Sequence, residues 1–310
     1  MIGKIIAVIL VLIMIFFSLI FVYQNVPREP VALKMGNVVP ETIELIGYGA
    51  VPVFSERLRF NHNIISYFIE GECDGVRREA MVEAFALFAN KMRIVSFYEV
   101  SADADINVGC SDNYISLGEN LFAAGEGGPS IIINTSNFKT IEEGKISLYD
   151  DPRCDYPVVE LHELGHVFGF DHSSDPNNIM YNTSNCNQRI SKDMVKLIND
   201  LYSIEPLADA SLNNIKAVKR GKYMDFNITV LNEGLLEIKD ISLTLLSDDK
   251  VIDTIPLEGI GIGYGRTLRA TNLKMYSSGI DTIDFVVDYE GIVEELDENN
   301  NLVQMTVGTS

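Results

Sequence analysis

Three of the four histidines in this 310-residue chain lie within a stretch of eleven residues. They are His162, His166 and His172 in the segment HELGHVFGFDH. Because residues four apart share one face of a helix, His162 and His166 are expected to project toward a common point. Gly169 can take a positive φ and end that helix in a sharp turn, which would bring His172 to the same point. The spacing therefore predicts a metal site with three nitrogen ligands.

Three protein ligands leave a fourth tetrahedral position open, which is typical of a catalytic rather than a structural zinc site. Glu163 follows the first histidine and is not itself a ligand. Its carboxylate is expected beside the open position, where it can accept a proton from an attacking water. H-E-x-x-H alone is a modest signal, but the glycine and the third histidine at these offsets make coincidence a poor explanation.

The full pattern H-E-x-x-H-x-x-G-x-x-H, followed by a methionine turn, is the metzincin signature. Met180 resembles the methionine of that Met-turn, which forms an apolar floor beneath the metal. Within the clan the chain resembles the matrixins, the matrix-metalloprotease-like group, because Ser173 follows the third histidine and Tyr181 follows Met180. Residues 104–106 also resemble the A-D-I strand of matrixins. The resemblance covers about residues 58–204 and is most specific over 162–181.

This resemblance implies an α+β catalytic domain, with a twisted, mostly parallel sheet, an antiparallel edge strand, an active-site helix and a C-terminal helix. It also implies one catalytic Zn²⁺ on the three histidines, with Glu163 as general base and protein or peptide substrates. An extended substrate is expected to pair with an exposed sheet edge, which we place within Gly118–Gly125. The chain departs from matrixins at Asn182, where proline is usual. His62 is the only histidine left over and is expected at the surface or at a strand edge, and no prodomain is expected.

Periodicity places the elements around this motif. Apolar residues at helical spacing predict a helix over Asp74–Lys91, and the glycines after Ala124 predict a loop before a short strand. Further strands are expected at Ile64–Ile69, Ile94–Val100, Ala104–Gly109 and Ser130–Asn134. Further helices are expected at Val158–Phe168 and Ser191–Tyr202, the second with Ser191 as its N-cap.

Short alternating strands follow Pro206 and predict an all-β, Ig-like sandwich of about seven strands. Its segment E-x-D-E-N-N-N-L-V, residues 295–303, resembles the end of CARDB-type adhesion modules, which implies a possible surface partner. The acidic stretch Asp288–Glu298 is expected to be a solvated hairpin face. A Ca²⁺ site there is the alternative, without other support.

Residues Ile5–Tyr23 carry no charge and would span roughly 30 Å as a helix, the thickness of a bilayer core. A cleaved signal peptide is the alternative, but it usually has a shorter apolar region and small residues at the cut. We therefore expect a membrane anchor over 1–30, a stalk over 31–57, the catalytic domain over 58–205 and the sandwich over 206–310. A short N-terminal tail normally stays inside, so the catalytic domain is expected outside the cytoplasm.

The chain carries 24 basic and 44 acidic side chains, a net charge of −20. This balance argues against a nucleic-acid partner, which requires a basic face. The sequence thus favours a membrane-anchored zinc endopeptidase. The rival is an adhesion or sensor protein with an inactive protease fold, and the intact Glu163 and histidines count against it.

The four cysteines, Cys73, Cys110, Cys154 and Cys186, suit two disulfides in an extracytoplasmic protein, with buried free thiols as the alternative. Of three possible connectivities we favour Cys154–Cys186, which would close a loop around every zinc ligand and leave Cys73–Cys110. In the alternative, residues 152–154 resemble the P-R-C core of the matrixin cysteine switch. Cys154, however, lies only eight residues before His162 and would have to fold back around its own helix to reach the metal.

Overall fold

The structure is a computed structural model that describes residues 2–25, 30–35, 51–112, 115–118, 121–149 and 151–307. The helices are α1 (Ile2–Asn25), α2 (Gly75–Met92), α3 (Val158–Val167) and α4 (Lys192–Tyr202). The first nine strands are β1 (Val31–Met35), β2 (Leu58–Phe60), β3 (Ile64–Ile69), β4 (Ser96–Glu99), β5 (Ile106–Cys110), β6 (Ile115–Gly118), β7 (Leu121–Ala123), β8 (Gly125–Asn134) and β9 (Lys139–Leu148). The later strands are β10 (Ala210–Arg220), β11 (Tyr223–Asn232), β12 (Ile241–Ser247), β13 (Lys250–Leu257), β14 (Gly265–Lys274), β15 (Thr282–Val287) and β16 (Leu302–Val307).

The chain divides into two compact units. Residues Thr42–Leu207, with Glu233–Leu236, form the first. Its main sheet has the parallel order β2-β9-β5-β3-β4, and β8 pairs with β9 in antiparallel orientation. This is the expected mostly parallel sheet with an antiparallel edge strand.

The helices of this unit begin where polar side chains cap them. Asp74 accepts a hydrogen bond from the Arg77 backbone N–H at 2.9 Å and starts α2, and Ser191 accepts one from Met194 at 3.3 Å and starts α4. A capping oxygen satisfies a backbone donor that the first turn leaves unpaired. The Ser191 cap is confirmed. The buried face of α2 is formed mainly by Met81, Ala84, Phe85, Phe88 and Met92.

Strand β8 differs from the expectation for this region. The glycine-rich segment expected to be a loop forms the first part of the strand, paired with β9 from Gly125 to Asn134. The expected substrate edge at Gly118–Gly125 runs from the end of β6 through β7, which form a separate two-stranded sheet, to the first residue of β8, and residues 119–120 lie outside the described part. Glycine has low strand propensity, so the pattern gave no strand signal.

The second unit is a β-sandwich of β10–β16, the expected seven strands, completed by β1 in the order β13-β12-β15-β16-β1-β10-β11-β14. Strand β1 lies within the region expected to be a stalk, and its Leu33 is buried in the sandwich core. At the other end of that region, the Phe54 N–H donates to the Gly169 carbonyl at 3.1 Å. The described ends of the expected stalk are thus folded parts of the two units, and residues 36–50 lie outside the described part. The partners of β1 are β10 and β16, which lie far along the sequence, so no local pattern marked this strand.

The acidic stretch before β16 is only partly the solvated face that was expected, because Glu290, Glu294 and Glu298 are exposed but two other carboxylates are buried. Asp288 is 9% exposed and accepts backbone hydrogen bonds from Ile292 and Val293. Glu295 is 6% exposed and accepts one from Ala210. Carboxylates satisfied by backbone donors can be buried, which a charge count does not reveal.

Helix α1 covers the apolar N-terminal segment. In the part of the chain that the structure describes, no helix has the length and apolarity that crossing a membrane requires, so the expected span is not supported.

Candidate active site

Helix α3 holds two of the three clustered histidines, and the turn after it positions the third. The cluster runs from buried His162 through partly buried His166 to exposed His172, and its ligand atoms all lie within 4.8 Å of one another. The Nε2 atoms of His162 and His166 are 3.0 Å apart. Ring centroids of His172 lie 5.3 and 5.0 Å from those of the other two. The structure thus brings together the three residues that the spacing singled out.

Backbone carbonyls orient the two helical imidazoles. Nδ1 of His162 lies 2.8 Å from the Ile179 oxygen, and Nδ1 of His166 lies 2.8 Å from the Phe170 oxygen. A carbonyl only accepts, so each Nδ1 must donate, which leaves both Nε2 atoms as lone-pair acceptors when the rings are neutral. Two such lone pairs 3.0 Å apart repel each other unless a cation lies between them. The donor set therefore fits a bound metal ion.

Burial keeps these rings neutral. It lowers the pKa of His162 to about 4, and the neighbouring imidazoles act in the same direction. Burial likewise lowers the pKa of His166. Neutral imidazole is the form that binds zinc. The fourth histidine, His62, lies outside the cluster, with its Nε2 3.1 Å from an Asp105 oxygen.

Gly169 makes the turn that returns the chain to the cluster. Its φ is +90°, and a Cβ there would lie 2.9 Å from a Leu58 methyl carbon. Its N–H donates to the His166 carbonyl at 3.0 Å, and the N–H of Phe170 donates to Gly165. Glycine is thus required by the backbone conformation, and the predicted turn residue is where the sequence placed it.

Met180 lies directly beneath the active-site helix and is fully buried. A Cβ built on Gly165, between the two helical histidines, would be 2.3 Å from the Met180 sulfur. The Ser173 N–H donates to the Met180 carbonyl at 2.8 Å, which ties the segment after His172 to this turn. Met180 therefore packs under the histidine-bearing turn of α3.

Glu163 is 6% exposed, and burial raises its pKa to about 8, with the charges of Glu126 and Glu160 contributing. Strand β8 passes directly over it. A Cβ on Gly125 would lie 2.8 Å from the Glu163 Cγ, and one on Gly127 would lie 2.1 Å from its carbonyl oxygen. This close approach was not predicted, and its only signal in the sequence is the group of glycines at 125, 127 and 128.

Two disulfides, Cys154–Cys186 and Cys73–Cys110, join the four cysteines, and the favoured pairing is confirmed. The first encloses α3, the turn and Met180 in one closed loop. It also leaves no free Cys154 thiol for a cysteine switch.

Residues 59–203 match the matrixin family model, and residues 200–305 match the CARDB model. The chain is a matrixin-like domain followed by a CARDB domain. Stromelysin-2 of Rattus norvegicus is 36% identical over 66 residues, which are 20% of this chain and 14% of that protein. The chain thus spans only a small part of this curated relative. The matrixin match suggests a zinc metalloprotease.

Solved structures also resemble about a third of this chain. One is a CARDB domain from Pyrococcus furiosus in complex with di-metal ions, 20% identical, covering 33% of this chain and 88% of that one, with a TM-score of 0.26. Another is a domain of a putative cell surface protein from Methanosarcina acetivorans, 21% identical, covering 34% and 93%, with a TM-score of 0.27. In the described residues, the three histidines of the matrixin-like domain are the only cluster of three or more His, Cys, Asp or Glu side chains suited to a metal.

Proposed function

We propose that the matrixin-like domain is a zinc endopeptidase, with one Zn²⁺ held by His162, His166 and His172. The main support for this proposal is that backbone carbonyls orient the rings of His162 and His166 so that their Nε2 atoms face each other. The ring of His172 lies close to both. When bound, zinc polarises the scissile carbonyl and lowers the pKa of the attacking water.

Glu163 acts as the general base in this proposal. Its carboxylate takes a proton from the attacking water and returns it to the leaving amine. The buried surroundings that raise its pKa disfavour the charged form, whereas a nearby dication favours it. Strand β8 excludes water from one side of this carboxylate, and its free edge can take an extended peptide through main-chain hydrogen bonds.

Substitutions of Glu163 and of a histidine distinguish proton transfer from zinc binding. Glu163→Ala should keep about one zinc per chain, because no ligand is lost, and should lower kcat by about 10²–10⁴-fold. His166→Ala should lose both zinc and hydrolysis, whereas His62→Ala, outside the cluster, should keep both. Zinc is measured by elemental analysis and hydrolysis with a denatured protein substrate. Near-normal turnover by Glu163→Ala would refute the proposed mechanism.

We further propose that the protein is anchored in the cell membrane by its N-terminal segment, with the matrixin-like domain outside the cytoplasm. The support is the uncharged stretch Ile5–Tyr23 and the side chains of residues 9–21 of α1, most of which are apolar and exposed. Large exposed apolar surfaces require an apolar partner. The CARDB domain is proposed to contact a surface partner, as adhesion modules do.

A further inference from the structure

Strand β8 has a free edge beside the candidate active site. It pairs with β9 along its whole length, and no other strand in the described part of the chain pairs with its opposite side. An unpaired edge offers a row of backbone donors and acceptors to an extended peptide. A peptide bound there would become the next strand of the sheet.

The part of β8 that crosses the active-site helix is almost without side chains. Its first five residues are GEGGP, and Gly125 and Gly127 flank the only charged residue, Glu126. Both glycines lie against Glu163, so Glu126 is at the point where the strand passes the proposed general base. No other long side chain in this stretch can distinguish one peptide from another.

Alternation along the strand sets the direction of Glu126. The Cβ positions of Gly125 and Gly127 face α3, so the Glu126 side chain projects to the opposite face of the sheet. On that face it is exposed, and the Tyr149 hydroxyl donates a hydrogen bond to its Oε2 at 2.7 Å. Its carboxylate is therefore oriented and still accessible.

We propose that Glu126 selects substrates with a lysine or arginine at the position that faces it across the free edge of β8. This inference rests on the proposed peptidase function. Residues directly opposite on neighbouring strands share one face, with Cβ atoms about 5 Å apart, and opposite charges there attract. The net charge of −20 also favours the approach of cationic peptides.

The test measures binding rather than turnover. The zinc-loaded full chain carrying Glu163→Gln is titrated with fluorescent peptides that place lysine, norleucine or glutamate at each position in turn. At one position lysine should bind about 2- to 5-fold more tightly than norleucine, and glutamate more weakly. Adding Glu126→Lys should reverse that order at the same position, and 1 M salt should reduce the preference.

Two variants serve as comparisons. Glu142→Lys makes the same charge change at an exposed site on β9 and should leave the order of the peptides unaltered. Tyr149→Phe removes the orienting hydroxyl and should weaken the lysine preference.

No peptide binding, or an order that Glu126→Lys fails to reverse, would overturn the inference. Wild-type protein that binds peptides with this preference but hydrolyses none would overturn the proposed peptidase function alone.

Discussion

Gly127 lies against the backbone of α3, since a Cβ built on it would be 2.1 Å from the Glu163 carbonyl oxygen. Backbone atoms cannot swing aside as the end of a side chain can, so either β8 or α3 would have to move. Gly128, the next residue, has no atom within 4 Å of its Cβ position. Two adjacent glycines thus differ sharply in what they tolerate.

We expect Gly127→Ala to lower the free energy of unfolding by about 1–3 kcal/mol, the usual cost of overpacking. It should also reduce hydrolysis, because the shift acts on the residue proposed as general base. Gly128→Ala is the matched control and should stay within about 0.5 kcal/mol of wild type. Chemical denaturation measures the free energy of unfolding of both variants. Equal losses in the two variants would show that the close approach of Gly127 to α3 does not determine which side chains this position tolerates.

The residues of the histidine motif could be predicted from the sequence, whereas the contact of β8 with α3 could not. The histidines, Gly169 and Met180 are separated by short, fixed intervals, so one helix and one turn bring them together. Gly127 contacts a residue 36 positions later in the chain, and nothing local marks that contact. The sequence could show that the glycines were present but not which helix they touch.

At the level of elements, a buried arginine secures the C-terminal helix of the first unit. Arg59 on β2 is 1% exposed, and its Nη1 donates to the carbonyls of Leu201 and Ile204 at 2.7 and 2.9 Å. Its guanidinium also lies 4.5 Å from the centre of the Tyr202 ring. Leu201 is in the last turn of α4, whose carbonyls have no helical partners, and Ile204 follows the helix, so this cation satisfies both carbonyls and complements the helix dipole.

Arg59→Met should therefore lower the free energy of unfolding by about 2–4 kcal/mol, because it leaves buried carbonyls unpaired. Arg78→Met removes a partly exposed arginine that pairs with Glu99, and it should cost under about 1 kcal/mol. Urea denaturation of both variants measures these changes in the free energy of unfolding. A stable Arg59→Met protein would mean that α4 is held by its apolar face alone.

Helices were easier to predict than strands in this chain. Helix α2 has both a capping aspartate and an apolar face, so local signals agree with the packing. Strand β1 has five residues and gains its partners only from β10 and β16, far along the sequence. Strand β8 begins with glycines, whose weak propensity is outweighed by pairing with β9.

For the whole molecule, the proposed anchor makes a prediction about location. The full chain should sediment with membranes and resist alkaline carbonate, because transferring an apolar helix back to water is unfavourable. A variant that starts at Pro30 should not sediment with them. Fractionation and immunoblotting measure this. Recovery from the medium of a chain beginning near Gln24–Pro30 would instead indicate a cleaved signal peptide.

A buried carboxyl in the sandwich predicts a pH dependence of the stability of that unit. Burial raises the pKa of Glu295 in the sandwich to about 8, well above its ordinary value, and nearby carboxylates contribute. A raised pKa means that the folded state holds a proton that the unfolded chain releases. The stabilisation is therefore complete below about pH 4.5 and is lost as the pH rises through about 8.

Glu295→Gln should flatten this dependence, because the amide is neutral throughout and its oxygen can still accept the hydrogen bond from Ala210. Glu294→Gln changes an exposed neighbour and should preserve it. Calorimetry of the sandwich transition between pH 5 and 8 measures both. An unchanged slope in Glu295→Gln would assign the dependence to other groups.

Strand β1 has a consequence for the order of events during synthesis. Leu33 pairs with Val307, 274 residues later, and the sandwich stays open until the last strand has left the ribosome. At about 5–20 residues per second, the strand waits on the order of tens of seconds for this partner. The described strands of the main sheet in the first unit are translated within that interval, so this unit can fold while its companion is incomplete. During this delay β1 exposes an unpaired edge, which makes the nascent chain most vulnerable to aggregation before its final strand is made.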